Sequence, residues 1–335
     1  SFSLFSHAFS MPNIVVIGAG IAGISSALAI QHKFPTAKVT IISDLFSPNV
    51  TSDLAAGFWW PYLCNFHDAN LLNRICRDTF EYISRLVSVE DAGAMWQSGH
   101  VVSKEDEEIP EWSTLVKGFR KLTKEQLREL GEEYKSGNFF TTLGLEPTKY
   151  IAYATRQFLS NGGCIRQKKI KNLNELTDEF DVIINCSGIG AKELMGDAEM
   201  KPIRGQIIRA HAPRVKHFFC DGDYYCLLNS NFVVLGGTHD EGEWDTTVNE
   251  ETAKKILEEN VKKMPELKGA TILSHHVGLR PFRSSLRIEK ETIKSVKGKE
   301  VTVVHNYGHG GSGITLFWGC ALHVAELLEK ERAHL

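Results

Sequence analysis

One stretch near the start of the chain constrains its fold more than any other: Asn13-Ile-Val-Val-Ile-Gly18-Ala-Gly20-Ile-Ala-Gly23-Ile-Ser-Ser-Ala-Leu-Ala-Ile30. A β-branched apolar run leads into a glycine-rich turn and then into a series of Ala, Leu and Ile, which predicts a buried strand, a turn and a helix. This arrangement opens a dinucleotide-binding βαβ unit. Its glycines permit the tight turn, the approach of a pyrophosphate and close packing of the helix on the strand. The first amides of the helix then face the phosphates.

A second apolar segment, Lys38-Val-Thr-Ile-Ile-Ser43, ends at Asp44. Asp44 lies about twenty residues beyond Gly23, where folds of this type place the acid that binds a ribose hydroxyl. Its carboxylate would repel a 2'-phosphate, which disfavours NADP, but the motif alone leaves NAD and FAD open. No charged side chain stands between Pro12 and His32. The glycines and serines of that stretch nevertheless make it too polar for a membrane helix.

The composition is that of a globular protein whose partners are small molecules. The chain has 335 residues, 42% of them hydrophobic and 24% charged, which is enough for two cores. A net charge of -3 provides no general field for nucleic acid. The 7 cysteines are scattered and form no Cys-x-x-Cys pair, which fits free thiols in a reducing compartment and argues against structural zinc. We therefore expect no nucleic-acid, membrane or metal site.

The rest of the sequence predicts further helices and strands around the first motif. Helical periodicity appears at 68–89 and 147–159, and strand signals at 164–170 and 180–185 are expected to return to the first sheet. Segments at 204–209, 224–228, 232–238 and 272–280 are typical of an antiparallel sheet. The last segment, 301–330, predicts a strand, a glycine loop and a long helix, whose amides would face an electron-rich atom. The charged segment 97–142 is interpreted as a solvated surface without chemistry.

The predicted fold class is α/β. A Rossmann-like dinucleotide-binding domain is assembled from separated segments (residues 11–60, 147–200 and 300–335), with an inserted antiparallel-sheet α+β substrate domain (61–146 and 201–299). Residues 1–10, which precede Met11, are interpreted as a cloning remnant or a disordered extension. The chain ends in Ala333-His334-Leu335, a variant of the peroxisomal Ser-Lys-Leu address. We expect recognition by the peroxisomal import receptor and location in the peroxisome matrix, with the cytoplasm as the alternative.

Seven short motifs together identify a family resemblance. They are Gly18-Ala-Gly-Ile-Ala-Gly23, Ala55-Ala-Gly57, Asn185-Cys-Ser-Gly188, Arg204-Gly-Gln206, Leu235-Gly-Gly-Thr238, Val277-Gly-Leu-Arg280-Pro281 and His305-Asn-Tyr-Gly-His-Gly-Gly311. The chain resembles the D-amino-acid oxidase and D-aspartate oxidase family of flavoenzymes from Met11 to about Lys330. The resemblance implies FAD as the cofactor and a D-amino acid and molecular oxygen as substrates. It also implies oxidative deamination to a 2-oxo acid, ammonia and hydrogen peroxide.

The resemblance assigns roles to individual residues. Arg280 matches the family's carboxylate-binding arginine, a role that suits a planar guanidinium. Tyr225 matches a tyrosine that contacts the same carboxylate, Tyr224 beside it points to the opposite face, and Gly311 lines the substrate pocket. The full set expected at the cofactor is Gly18, Ala19, Gly20, Ile21, Gly23, Ser43, Asp44, Thr51, Ser52, Ala56, Gly57, Ile170, Ser187, Gly188, Arg280, Gly310, Gly311, Ser312, Gly313, Ile314 and Thr315.

No side chain is expected to act as a catalytic base. With the carboxylate fixed and the amine deprotonated, hydride can leave directly for the flavin, so catalysis would rest on orientation. His305 and His309, which flank the last glycine loop, are interpreted as structural histidines rather than bases.

The side-chain end of the pocket favours neutral D-amino acids. D-aspartate oxidases carry arginines at the positions that align with Cys220 and His239 and a serine at Gly311, and none of these is present here. His239 could still supply a charge when protonated, so acidic D-amino acids remain the alternative. An NAD-dependent dehydrogenase and a non-enzymatic FAD-binding protein are more distant possibilities. The oligomeric state is open, with a dimer as one candidate.

Overall fold

The computed structural model describes residues 12–62, 66–222 and 224–332. The predicted extension at 1–10 and the C-terminal Ala333-His334-Leu335 lie outside this part of the chain. In chain order its strands are β1 (Asn13–Ile17), β2 (Lys38–Ser43), β3 (Ala94–Ser103), β4 (Lys117–Lys121), β5 (Ser136–Leu145), β6 (Cys164–Gln167), β7 (Val182–Asn185), β8 (Lys201–His211), β9 (Phe218–Cys220), β10 (Tyr225–Leu228), β11 (Val233–Gly236), β12 (Asp240–Glu241), β13 (Thr271–Lys294) and β14 (Glu300–His309). Its helices are α1 (Ile21–Lys33), α2 (Ala69–Leu86), α3 (Lys124–Leu130), α4 (Pro147–Ser160), α5 (Ala191–Leu194), α6 (Glu250–Lys263) and α7 (Gly313–Arg332).

These strands form one continuous mixed sheet. Its order is β4-β5-β3-β9-β10-β11-β8-β13-β14-β7-β1-β2-β6, with β12 paired to β8. The strands β14, β7, β1, β2 and β6 run parallel to their neighbours in that series. From β14 through β13, β8, β11, β10 and β9 the pairing is antiparallel. The predicted α/β class is therefore confirmed, while the boundaries given for the two domains stay a prediction.

Helix α1 packs against the parallel strands of the sheet. This helix is buried along most of its length and contacts α7 and α4. The buried Ser25 hydroxyl forms a hydrogen bond of 3.0 Å with Tyr150 Oη on α4. Because α1 begins directly after the glycine turn at the carboxyl end of β1, this packing fixes where its N-terminus points.

The predicted elements agree with the structure to within a few residues. β2 has the predicted bounds, and the helices predicted at 68–89 and 147–159 are α2 and α4. The strand expected at 272–280 is much longer, since β13 has 24 residues and pairs with both β8 and β14. The segment 97–142 also contains most of β3 and β5, whose pairing buries Phe140 and Leu143. No helix within the described residues is both long and apolar enough to span a bilayer.

Candidate active site

A cavity of about 1000 Å³ runs from the carboxyl edge of the parallel strands onto one face of the antiparallel strands. Most of the residues expected at the cofactor or substrate line it: Gly18, Ala19, Gly20, Ile21, Ser43, Asp44, Thr51, Ser52, Ala56, Gly57, Ile170, Ser187, Gly188, Tyr225, His239, Arg280, Gly310, Gly311, Gly313 and Ile314. Four residues of the predicted set do not line it: Gly23, Tyr224, Ser312 and Thr315. The roles of all these residues stay predictions, but the fold brings most of them to one surface.

Two glycines, one in the turn after β1 and one in the first turn of α1, leave no room for a side chain. Gly18 has a φ of 100°, and a Cβ there would lie 2.5 Å from the Cys186 carbonyl oxygen. A Cβ on Gly23 would lie 1.9 Å from the Gly18 carbonyl oxygen. Gly23 therefore supports the turn from behind, which explains why it does not reach the cavity. The Ile21 amide donates to Ser52 Oγ at 3.0 Å, so the first turn of α1 faces the cavity together with a hydroxyl.

The far end of the cavity, beyond β2, combines an acid with several lysines. Asp44 is exposed at the end of β2, and its backbone oxygen accepts a hydrogen bond of 3.1 Å from Gln167 Nε2. Lys168, Lys169 and Lys171 line the same end. None of these lysines was among the site residues predicted from the sequence.

Ser187 is held by a chain of hydrogen bonds that reaches the surface. Its hydroxyl and its amide donate to Asn185 Oδ1 at 2.7 and 3.2 Å, so Asn185 Nδ2 faces His305 Nδ1 at 3.2 Å. His305 Nε2 lies 2.8 Å from Glu291 Oε1. Since an amide nitrogen only donates, His305 Nδ1 must accept and Nε2 must carry the proton. Ser187 thus presents acceptor lone pairs, rather than a free O–H, to the cavity.

At the opposite end of the cavity the guanidinium of Arg280 has no acidic partner among the described residues. It is half-buried, and Nη1 donates to the Thr238 carbonyl oxygen at 3.2 Å. No carboxylate in the described part of the chain forms an ion pair with it. The hydroxyl of Tyr225 lies beside this guanidinium. Burial raises the pKa of Tyr225, and Arg280 opposes that shift, so the phenol stays protonated at neutral pH.

An aromatic wall faces the arginine. Trp60 and Tyr62 line the cavity and stack with ring centroids 5.1 Å apart. Thr315 Oγ1 donates to the Trp60 carbonyl oxygen at 2.8 Å, and the Ser312 hydroxyl donates to the Tyr62 carbonyl oxygen. The hydroxyls of Ser312 and Thr315 therefore hold this wall. Neither Trp60 nor Tyr62 was among the site residues predicted from the sequence.

The pocket beyond Arg280 lacks a second permanent cation among the described residues. Cys220, Gly222 and His239 line this region. Burial lowers the pKa of His239, and the nearby Arg280 charge lowers it further. Burial also raises the pKa of the Cys220 thiol well above its usual range. Both side chains are neutral at physiological pH.

The two histidines of the last glycine loop differ. Both ring nitrogens of His305 have partners, as predicted for a structural residue. His309 is buried, lines the cavity, and its Nε2 has no hydrogen-bond partner among the described residues. Burial lowers the pKa of His309 to about 4.

Tyr224, which does not line the cavity, lies between β9 and β10, where its amide donates to Asp221 Oδ1 at 2.9 Å.

The site fits a dinucleotide that carries a flat ring system. A glycine-rich turn and the start of α1 suit a pyrophosphate, and the acid after β2 suits a ribose hydroxyl. At the other end, Gly310, Gly311 and Gly313 form a second glycine-rich segment beside the aromatic wall. The buried His309 also lines the cavity, and its Nε2 has no hydrogen-bond partner among the described residues. The described residues bring together no cluster of side chains that could hold a metal ion.

Comparison with known proteins decides which dinucleotide is used. The sequence model of the family described as FAD dependent oxidoreductase matches residues 13–327. The chain belongs to this family. FAD is therefore the cofactor of this oxidoreductase, and NAD, which the glycine turn alone left open, is not.

Relatives of this FAD-dependent oxidoreductase align over nearly its whole length. D-aspartate oxidase from Homo sapiens is 37% identical over 324 residues, which cover 95% of this chain and 94% of the relative. D-amino acid oxidase from Dugesia ryukyuensis is 37% identical over 324 residues, which cover 94% and 97%. The crystal structure of glycine oxidase from Bacillus cereus has a TM-score of 0.75 at 18% identity, with 96% of this chain and 95% of that one covered. At this identity the structural likeness shows the fold alone.

The buried His309 makes the stability of the FAD-free protein depend on pH. Because its pKa is lowered to about 4, the unfolded chain, where histidine titrates near 6.5, binds more protons between these values. The stabilising contribution is complete above about pH 6.5 and is lost as pH falls toward 4. We expect His309→Leu to reduce the loss of unfolding free energy between pH 7 and 4.5 by roughly 2–3 kcal/mol.

Urea unfolding of the FAD-free protein at the two pH values measures this difference. The exposed His275, replaced by Leu, is the control for removing a histidine from the surface. An equal loss of stability in wild type and His309→Leu would show that His309 is not held neutral by the fold.

Proposed function

We propose that this FAD-dependent oxidoreductase oxidises the α-carbon of D-amino acids to an imine and passes the two electrons on to oxygen, which yields hydrogen peroxide. Water then hydrolyses the imine to a 2-oxo acid and ammonia. The observation that carries the proposal is the guanidinium of Arg280, which faces the cavity without an acidic partner in the described part of the chain. A half-buried cation of this kind matches a ligand carboxylate, which it can bind through two parallel hydrogen bonds. The names of the two relatives at 37% identity support a D-amino acid as that ligand.

The residues of the chain would act by orienting the substrate. When bound, FAD supplies a two-electron acceptor that oxygen can reoxidise with formation of hydrogen peroxide. Arg280 would hold the carboxylate, with the Tyr225 hydroxyl beside it, and so fix the α-carbon at one depth in the cavity. Among the described lining residues the acidic side chains are Asp44 and Glu193, and neither lies beside Arg280. No carboxylate among the described lining residues of this end could take a proton from the amine, which supports a substrate whose amine is already deprotonated.

The Tyr225 hydroxyl should contribute to binding more than to turnover. In Tyr225→Phe we expect the KM for D-alanine to rise roughly 2- to 10-fold, the loss of one hydrogen bond, while kcat stays within about tenfold. Steady-state peroxide release, with FAD content measured in each preparation, checks this. A variant that binds FAD but is nearly inactive would contradict orientation catalysis. A larger effect in Tyr224→Phe would assign the role to the neighbouring tyrosine.

Neutral D-amino acids are the proposed substrates within this class. A second carboxylate on the substrate would meet Cys220 and His239, which are neutral at physiological pH. It would lack charge-assisted hydrogen bonds worth roughly 1.5–3 kcal/mol each. Arg280 is occupied by the α-carboxylate in this arrangement, so no permanent cation remains for the side chain among the described lining residues of this end.

A substrate panel tests both levels of the proposal. We expect peroxide release with D-alanine and D-methionine, and a kcat/KM at least roughly tenfold lower with D-aspartate and D-glutamate. His239→Arg should raise kcat/KM for D-aspartate relative to D-alanine, whereas His239→Gln, which adds no charge, should not. A tenfold preference of the wild type for D-aspartate would reverse the substrate assignment. Oxidation of L-alanine but not of D-alanine would end the proposal as a whole.

The peroxisome is the proposed location. The support is the sequence Ala333-His334-Leu335, whose small-basic-Leu pattern resembles the Ser-Lys-Leu address, together with a peroxide-producing reaction. A fluorescent protein carrying residues 324–335 at its C-terminus should collect in peroxisomes, and the same fusion ending at residue 332 should stay in the cytoplasm. A cytoplasmic distribution of both fusions would refute this assignment.

A further inference from the structure

Three glycines share one face of the antiparallel strands. Gly205 on β8 stands directly opposite Gly278 on β13, and Gly236 on β11 stands opposite Ile207 on β8. Residues opposite each other in an antiparallel pair share a face of the sheet. Gly205 and Ile207 are two residues apart on β8, so all of these positions lie on the same face.

Two of these glycines are covered by the side chains that would bind the substrate carboxylate. A Cβ on Gly205 would lie 2.5 Å from both Nη1 and Nη2 of Arg280 and 2.6 Å from its Cζ. A Cβ on Gly236 would lie 1.9 Å from Cζ of Tyr225, its partner on β10. The guanidinium and the phenol ring thus rest directly on backbone.

The backbone itself does not require glycine at these positions. Neither Gly205 nor Gly236 is among the glycines with positive φ in the described chain. An alanine could therefore adopt the conformation of Gly205 without strain. What excludes a side chain at Gly205 is the space occupied by the guanidinium.

We propose that Gly205 is the positioning residue for the guanidinium of Arg280. Its bare backbone lets the guanidinium lie flat against β8, where Nη1 reaches the Thr238 carbonyl oxygen at 3.2 Å. That single backbone contact leaves further N–H groups of the fork for a ligand carboxylate. This inference rests on the proposed role of Arg280 in substrate binding.

A methyl group on Gly205 would push the guanidinium outward by about an ångström, since ordinary carbon contacts begin near 3.5 Å. The end of an arginine side chain is flexible and can move without unfolding the strand. The displaced fork would lose its contact with Thr238 and its alignment with the carboxylate. The displacement would lower the affinity for the carboxylate, because bidentate pairing depends on geometry as well as on charge.

The experiment compares Gly205→Ala with wild type in the FAD-loaded protein. We expect the KM for D-alanine and the Kd for benzoate, a carboxylate without an oxidisable amine, to rise roughly tenfold. The affinity of the FAD-free protein for FAD and its urea midpoint should stay unchanged. Gly278→Ala is the matched control on the same rung, where the added methyl meets the Leu54 side chain at 3.3 Å and not the guanidinium. Its effect on benzoate binding should be several times smaller.

A double-mutant cycle separates positioning from a general structural role. In an Arg280→Lys background the ammonium has no planar fork to rest on Gly205, so Gly205→Ala should change the Kd for benzoate less than twofold. An unchanged Kd in Gly205→Ala alone, or the same factor in both backgrounds, would overturn the proposal. If the wild type oxidises no D-amino acid, the proposed function fails. Benzoate binding still shows whether Gly205 positions the guanidinium.

Discussion

Close approach of backbone to ligand is the constraint on which this structure depends. A flat, elongated cofactor can lie against a protein only where side chains are missing, and the chain removes them at each end of the cavity. At the first end the Gly18 turn is supported by Gly23, whose missing Cβ lets α1 sit against the turn. At the other end Gly310 and Gly311, which precede α7, also expose backbone without side chains to the cavity. The buried position of α1 between the sheet, α4 and α7 makes this geometry rigid.

The chemistry of the Arg280 end of the cavity depends on one charge. The guanidinium of Arg280 is half-buried and rests on backbone rather than on a carboxylate. A half-buried charge without a partner costs free energy. A bound carboxylate therefore gains the charge-assisted hydrogen bonds that the described part of the chain does not supply. The other groups of this end, Tyr225, His239 and Cys220, are held neutral by burial. Charge complementarity is therefore concentrated at one point. In the proposed function this point would hold the substrate by its carboxylate and leave the substrate side chain in neutral surroundings.

The sequence was sufficient for the parts of this arrangement that are local. The glycine turn, β2 and α4 follow from periodicity and from residues within a few positions of each other, and their bounds agree closely with the structure. The length of β13 was underestimated, since Pro281 interrupts a strand pattern although it sits in the middle of a paired strand. Contacts between distant segments were beyond reach. Neither the lysines beyond β2 nor the contacts of the Ser312 and Thr315 hydroxyls with the Trp60–Tyr62 segment can be placed without the fold.

The two histidines of one loop show why pattern alone could not assign the site. His305 and His309 are four residues apart on β14, and both are buried beside the same sheet. His305 lies within reach of Asn185 and Glu291, and its proton is fixed by their chemistry. His309 lies beyond His305, the last residue of β14 that pairs with the parallel strand β7, and the described chain offers its Nε2 no hydrogen-bond partner. The Nε2 of His305, in contrast, bonds to Glu291. The difference between the two histidines thus depends on where the pairing of β14 with β7 ends, and these strands are far apart in the sequence.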